Sequence, residues 1–231
     1  MDGILPVYKP VGITSFDVIR AFKRAQFTGR DPVKYKVGHG GTLDPFADGV
    51  LLLLLGKATK KMNELSALPK TYRAVARLGA SSDTLDCTGH IDLRFKVQDL
   101  RLSLEQLNEQ GEKFLGEIEQ EIPDYSATKI NGVPRYKLAR AGKEMEKKTK
   151  MVKIDDLRFT KIEADMVEFV STVSSGTYIR QLSYDIFKTL GVESYLESLT
   201  RTQIGDYVME KCVKVEDFSS LAWQGKVVPL A

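Results

Sequence analysis

The chain has 231 residues, of which 42% are hydrophobic and 28% charged, a composition typical of a folded protein rather than a disordered one. Its longest apolar stretch, residues 50–55, is far shorter than the roughly 20 residues of a membrane span, and no secretory signal precedes it, so a cytoplasmic location is expected. With two cysteines and two histidines, neither a disulfide framework nor a histidine-rich metal site is expected.

The predicted elements follow from apolar periodicity, which differs between strands and helices. In chain order they are a strand over 4–8, a helix over 16–27 with Ser15 as its N-cap, a loop over 28–48, a buried strand over 50–55, a strand over 72–78, a helix from a capping box of Ser103 and Gln106 to about Lys113, strands over 152–159 and 166–173, and a helix over 178–190.

The order of these elements indicates the fold class. Strands and helices mix without strict βαβ alternation, which favours an α+β fold with a mixed, mostly antiparallel sheet flanked by helices. No linker rich in Gly, Ser or Pro divides the chain, so a single domain over residues 1–231 is expected. Residues from about 123 to 152 contain many cations and few apolar residues, which indicates an insertion into that domain.

The charged residues are unevenly distributed, although the net charge is only +3. Between residues 129 and 153 nine basic residues stand against two acidic ones, and between residues 97 and 124 eight acidic residues stand against two basic ones. This separation favours a surface that binds a polyanion. Two solvated faces without a binding role explain the charge runs equally well.

The segment GHGGTLDPFADG, residues 38–49, is the most unusual in the chain. Its glycines, on a loop that leads into a buried strand, allow close backbone approach and a fixed geometry. Asp44 lies between Leu43 and Pro45, a carboxylate in partly apolar surroundings. Taken alone, Asp-Pro also suits an ordinary turn, and His39 also suits a structural histidine. The motifs of nucleotide-binding loops and of serine hydrolases are not matched.

Six segments resemble, in order, the motifs of the TruB family of tRNA pseudouridine synthases, and they cover about residues 3 to 205. They are YKPVGITS (8–15), the catalytic GHGGTLDPFADGVLLLLLGKATK (38–60), KTYRAVARLGASSDTLDCTG (70–89), PDYSATKINGVPRYKLARAG (123–142), SGTYIRQLSYD (175–185) and LTRTQIG (199–205). The resemblance implies a pseudouridine synthase fold. It also implies isomerisation of the T-loop uridine at tRNA position 55 by base flipping and an aspartate nucleophile, without guide RNA.

The resemblance also implies roles for individual residues. Asp44 matches the nucleophile, Tyr72 the aromatic residue that stacks on the extruded base and takes part in proton transfer, and Arg180 the partner of the aspartate. Four residues match positions around the substrate, although a structural role fits several of them as well: Tyr178, Leu199, His39 and Lys9. The cations implied to contact phosphates are Lys129, Arg135, Lys137, Arg140, Lys143, Lys147 and Lys148.

The implied reaction needs no redox change, metal or nucleotide energy, so no cofactor is expected. The expected partner is the T-arm of tRNA, bound by a monomer without membrane, metal, guide RNA or obligatory protein partner. Since 26 residues follow Gly205, the C-terminal PUA domain usual in bacterial members is expected to be absent or reduced to a remnant. Two alternatives stay open, namely a relative of the guide-RNA-dependent archaeal or eukaryotic type and a non-catalytic RNA-binding or RNA-folding protein.

Overall fold

The structure, a computed structural model, describes residues 1–26, 36–93 and 102–230. The α-helices within these residues are α1 (Ser15–Ala25), α2 (Met62–Ala67), α3 (Leu104–Glu112), α4 (Arg135–Arg140) and α5 (Ile179–Thr189). None of them is long and apolar enough to cross a membrane.

The strands in the same residues form one large sheet and two short hairpins. They are β1 (Gly3–Lys9), β2 (Val37–His39), β3 (Asp48–Leu55), β4 (Lys70–Leu78), β5 (Ser81–Ser82), β6 (Ile91–Asp92), β7 (Gly116–Glu121), β8 (Lys129–Ile130), β9 (Val133–Pro134), β10 (Thr149–Glu163), β11 (Met166–Val173), β12 (Ser194–Ile204), β13 (Tyr207–Val208) and β14 (Val213–Lys214).

The chain divides into two compact units, and the boundary falls within β4 and within β12. Unit 1 comprises Met1–Tyr72 and Leu199–Ala231, and unit 2 comprises Arg73–Ser198. The single domain expected from the sequence stays a prediction.

Unit 1 is built around β3, which pairs antiparallel with β1 and β2 and parallel with β12. Its apolar residues are completely buried because both faces of the strand are covered. Leu51, Leu53 and Leu55 pack in one cluster with Phe22 of α1. The residues that alternate with them along the strand pack against α2 in a second cluster, and they are Val50, Leu52 and Leu54. The continuous apolar run predicted this burial correctly.

The start of α1 differs from its prediction. The N-cap is Thr14, whose side chain accepts a hydrogen bond from the Asp17 amide at 3.0 Å, and the Asp17 carboxylate accepts one from the Thr14 amide at 2.8 Å. The assignment of Ser15 as the cap was therefore wrong. Ser15 is buried within the first turn, where its hydroxyl bonds to a distant loop. The predicted end of the helix at residue 27 and the first part of the predicted loop lie outside the described residues.

Unit 2 is built around β10, which pairs antiparallel with β11 and with β7. The predicted capping box of α3 is present, with Ser103 and Gln106 each bonded to the other's main-chain amide. Helix α5 is present as predicted and is followed by Gly191 at φ 72°. The strand pairs in both units are mostly antiparallel, and the fold is α+β with a mixed sheet flanked by helices, as predicted.

Candidate active site

Asp44 lies on the irregular segment between β2 and β3, and its side chain is half-buried. The hydroxyl of Ser15 donates to the carbonyl of Leu43 at 3.1 Å and accepts from the amide of the same residue at 2.9 Å. On the other side of Asp44, the carbonyl of Pro45 accepts from the amide of Gly12 at 2.8 Å. The backbone that carries the carboxylate is thus tied on both sides to the β1–α1 region.

Arg201 holds the part of the same loop that precedes Leu43. Its side chain is 1% exposed, and Nε donates to the carbonyl of Val50 at 2.7 Å. Nη1 donates to the carbonyl of Thr42 and Nη2 to that of Gly41, both at 3.2 Å. A Cβ on residue 49 would lie 2.2 Å from the Arg201 carbonyl oxygen, so this close approach of β3 and β12 requires a glycine there.

Lys9, at the end of β1, is completely buried, and its ammonium donates to the carbonyls of Pro10 at 2.9 Å and Ile13 at 2.8 Å. Burial lowers the pKa of Lys9 to about 8, against the opposing effect of the Asp48 and Asp44 carboxylates. The side chain is therefore still charged at pH 7. It holds the turn before α1 and contributes a positive charge near Asp44.

His39 lies on β2, half-buried, and burial together with the charge of Arg201 lowers its pKa. Its Nδ1 has no hydrogen-bond partner among the described residues. Tyr72 and Leu199 are also in unit 1, and their exposed fractions are 7% and 5%. Unit 1 therefore contains five of the predicted site residues, which are Lys9, His39, Asp44, Tyr72 and Leu199.

Arg180 belongs to unit 2, on α5, and its side chain is 3% exposed. Its Nη1 donates to the carbonyl of Thr84 at 2.6 Å and its Nη2 to that of Tyr125 at 3.0 Å. Its Nε lies 3.6 Å from a carboxylate oxygen of Asp86, which is also buried. Arg180 lies off the apolar stripe of α5 and is buried nevertheless, because the first turn of the helix is covered on more than its apolar face.

Tyr178 is the N-cap residue of α5, and its ring is half-buried. Its amide donates to Gln120 at 2.8 Å, and the side-chain amide of Gln120 donates back to its carbonyl at 3.1 Å. The phenol is hydrogen-bonded to the Thr128 hydroxyl at 2.9 Å, and the Lys150 ammonium lies 4.2 Å from the ring centroid. Tyr178 thus joins α5, β7 and the basic insertion within unit 2.

The basic insertion forms a hairpin of β8 and β9 followed by α4. Arg135, predicted to contact phosphates, is 1% exposed and bonds to the Asp124 carboxylate at 2.5 Å and the Glu146 carbonyl at 3.0 Å. This placement corrects the prediction, since the guanidinium holds the insertion together and is not available to a ligand. Six cations of the insertion are exposed, namely Lys129, Lys137, Arg140, Lys143, Lys147 and Lys148.

The sequence does not predict the residues that anchor the site. In the sequence Ser15 suits a helix cap, and no role is predicted for Arg201 or Asp86. A signal for Arg201 exists, because it stands two positions after Leu199 on β12 and so faces the same side of the strand. No local pattern identifies Ser15, since its partner Leu43 is 28 positions away.

A family model described as "TruB family pseudouridylate synthase (N terminal domain)" matches residues 29–179. Over 219 residues the chain is 41% identical to tRNA pseudouridine synthase B of Clostridium acetobutylicum, covering 95% of this chain and 73% of that relative. The protein of the same name from Aquifex aeolicus is 38% identical, with 95% and 74% covered. That of Parabacteroides distasonis is 36% identical, with 97% and 94% covered.

Solved structures show the same likeness. A chain in a crystal structure of a Cbf5-Nop10-Gar1 complex matches with a TM-score of 0.70 and 28% identity, covering 97% of this chain and 55% of that one. A chain in an H/ACA RNP bound to a substrate RNA containing 2′-deoxyuridine matches with a TM-score of 0.67 and 25% identity, covering 97% and 54%. The chain spans about half the length of these two structural relatives.

Proposed function

Because this chain belongs to the TruB family of pseudouridylate synthases, enzymes that isomerise uridine in RNA, we propose that it forms pseudouridine at position 55 in the T-loop of tRNA without guide RNA. The observation that carries the proposal is the loop of Asp44. A half-buried carboxylate stands on a backbone that Ser15 and Arg201 hold by hydrogen bonds. Such a loop presents one reactive side chain in a fixed position.

The reaction breaks the N1–C1′ bond of uridine, turns the base and joins C5 to C1′; C5 loses its proton and N1 gains one, so no atom is gained or lost overall. In this proposal the Asp44 carboxylate bonds transiently to the nucleoside, either at C1′ of the sugar or at C6 of the base, and is released again before the product leaves. A covalent intermediate of this kind divides one difficult step into easier ones. The target nucleotide has to leave its stack first, since its glycosidic bond is otherwise out of reach.

The other site residues receive the roles that their motifs suggest. Tyr72 stacks on the extruded base and takes part in proton transfer, and Arg180 pairs with the aspartate. Burial of these two side chains, at 7% and 3% exposure, supports a role away from bulk water. Three residues complete the surroundings of the base, namely His39, Tyr178 and Leu199.

tRNA is proposed as the substrate because the compared relatives carry the name tRNA pseudouridine synthase B. The exposed cations of the insertion supply the contacts to phosphates, which position an RNA without reading its sequence. Arg135 is left out of this set because its guanidinium is buried. The folded arm is then recognised by its shape and by the extruded base.

Purified full-length protein is expected to form pseudouridine at position 55 of an unmodified tRNA transcript, with no other RNA or protein added. Reverse transcription after chemical labelling of pseudouridine reads out the modified position. Product that appears only when a guide RNA and partner proteins are supplied would favour the guide-dependent alternative. Tight tRNA binding without product under both conditions would favour a non-catalytic RNA-binding protein.

Replacing Lys147 and Lys148 by alanine is expected to weaken tRNA binding and to reduce its salt dependence. Both side chains are exposed, and the Lys147 ammonium lies 3.1 Å from a carboxylate oxygen of Glu121, a surface pair that an RNA phosphate is able to displace. Each lost phosphate contact reduces the slope of log K against log salt by about 0.7 to 0.9, so a decrease of about 1.5 is expected. Filter binding at several salt concentrations measures it.

The matched control replaces Arg158 and Lys161 by alanine. Both are exposed cations of β10 with carboxylate neighbours, Asp156 at 3.3 Å and Glu163 at 2.5 Å, so the change in net charge is the same. The control is expected to keep the wild-type slope. Equal slopes for the insertion variant and the wild type would show that the lysines at 147 and 148 face only water.

A further inference from the structure

Arg201 is a permanently charged side chain in the interior of unit 1, with 1% of its surface exposed. Within the described part of the chain its hydrogen-bond acceptors are main-chain carbonyls, those of Gly41, Thr42 and Val50. Neutral acceptors compensate a buried guanidinium less well than a carboxylate does, so this arrangement costs folding free energy. Stability alone therefore does not explain an arginine at this position.

Arg201 also acts on the basic side chains around it. Burial lowers the pKa of Lys9, His39 and Lys70, and the charge of Arg201 lowers each further, at Lys9 against the larger opposing effect of the Asp48 and Asp44 carboxylates. The Lys70 ammonium donates to the carbonyls of Ser66, in α2, and Leu68, and its Cε lies 3.8 Å from where a Cβ on Gly41 would stand. Arg201 thus adds its charge to a region that already contains two other buried cations, Lys9 and Lys70, an arrangement that fits a functional requirement.

The positions of the acceptors show what the guanidinium does. Gly41 and Thr42 precede Asp44 by three and two residues, and Val50 lies on β3 just after the loop. One side chain therefore ties the two ends of the loop to each other. Ser15 holds the peptide between them, through both the carbonyl and the amide of Leu43.

We propose that Arg201 is a positioning residue for the isomerisation, because its guanidinium joins the two ends of the Asp44 loop and so fixes the carboxylate relative to the bound nucleoside. Ser15 is the second anchor of the same loop. The proposal rests on the nucleophilic role of Asp44. A misplacement of about 1 Å costs a reaction of this type about 100-fold, so loosening either anchor lowers the chemical rate without changing the affinity for tRNA.

The first test compares two buried hydroxyls. Ser15 and Ser171 are 2% and 0% exposed, and each donates to the carbonyl of another segment, that of Leu43 at 3.1 Å and that of Asp156 at 2.9 Å. Both Ser15→Ala and Ser171→Ala remove a buried hydroxyl that donates to a carbonyl; Ser15→Ala also removes the bond accepted from the Leu43 amide, so it is expected to lower the melting temperature at least as much as Ser171→Ala. Only Ser15→Ala is expected to reduce the single-turnover rate at saturating tRNA, about tenfold, with an unchanged Kd.

The second test uses Arg201→Lys and Arg201→Met. An ammonium keeps the charge but does not span three carbonyls, so the lysine variant is expected to retain part of the rate and the methionine variant to lose at least about 100-fold. Amide hydrogen exchange in residues 40–47 is expected to accelerate in both and in Ser15→Ala. This exchange does not depend on catalysis, and Ser15→Ala keeps the test valid if Arg201→Met fails to fold.

The outcomes separate this proposal from the proposed function. Wild-type protein that forms no pseudouridine in tRNA would overturn the proposed function, whatever the exchange rates are. An active wild type with Ser15→Ala and Arg201→Lys at full single-turnover rate would overturn the positioning role alone. Slower chemistry with an unchanged Kd and faster loop exchange in both variants, and not in Ser171→Ala, would establish it.

Discussion

Asp44→Asn is expected to abolish pseudouridine formation while tRNA binding is largely retained. Asparagine has the same size, but its neutral amide is a poor nucleophile, so a loss of about 10⁴-fold or more in single-turnover rate is expected. The bonds that hold the loop from Ser15 and Arg201 end on the main chain of neighbouring residues, so the substitution leaves them in place. Quench-flow or manual single-turnover assays at saturating tRNA measure the rate.

The matched control is Asp165→Asn. Asp165 is also half-buried, and its carboxylate accepts a hydrogen bond from Nε of Arg77 at 3.0 Å, within unit 2. This variant is expected to react at the wild-type rate, since the carboxylate lies outside the proposed catalytic set. Loss of activity in both variants to the same extent would mean that the assay reports the removal of any carboxylate.

Arg180→Met is expected to have the second-largest effect, on both stability and rate. Removing the guanidinium leaves the buried Asp86 carboxylate without its cation, which is expected to cost about 3–5 kcal/mol of unfolding free energy. Loss of the proposed partner of Asp44 is expected to reduce the single-turnover rate at least about 100-fold at temperatures where the variant is folded. Urea denaturation and the rate assay together separate the two effects.

Two further variants serve as comparisons for Arg180→Met. Arg180→Lys keeps a charge near Asp86 and is expected to recover more of the stability than of the rate, because an ammonium lacks the planar geometry of a guanidinium. Arg77→Met removes a half-exposed ion pair. It is expected to lower the unfolding free energy by less than about 1 kcal/mol and to react at the wild-type rate. A folded Arg180→Met with the wild-type rate would remove Arg180 from the chemistry.

The parts of the fold that were predicted correctly are those whose signal is local. The apolar run of β3 reports a strand that is covered on both faces, and the Ser103–Gln106 pair closes its capping box within one helical turn. The stripe of α5 and the glycine that follows it likewise describe that helix from its own residues. Each pattern lies within a short stretch of the sequence, so burial and capping are readable from it.

The predictions that were wrong concern residues whose placement depends on a partner far away in the sequence. Thr14 and Ser15 are equally suited to cap α1, and the choice depends on the bond between Ser15 and Leu43. Counting charges placed Arg135 on the surface, whereas its partners Asp124 and Glu146, each eleven positions away, hold it inside. For the same reason the alternation of β12 places Arg201 on the side of Leu199 but does not identify its partners, which are carbonyls about 150 positions earlier.

The central claim, that the Asp44 carboxylate carries out the isomerisation at one uridine, is tested most directly by mapping pseudouridine at single-nucleotide resolution. Unmodified tRNA is treated with wild-type protein and with Asp44→Asn under conditions where binding of both is saturated. The account predicts pseudouridine at position 55 after wild-type treatment and unchanged uridine after treatment with the variant. Equal modification of position 55 by both proteins would contradict it.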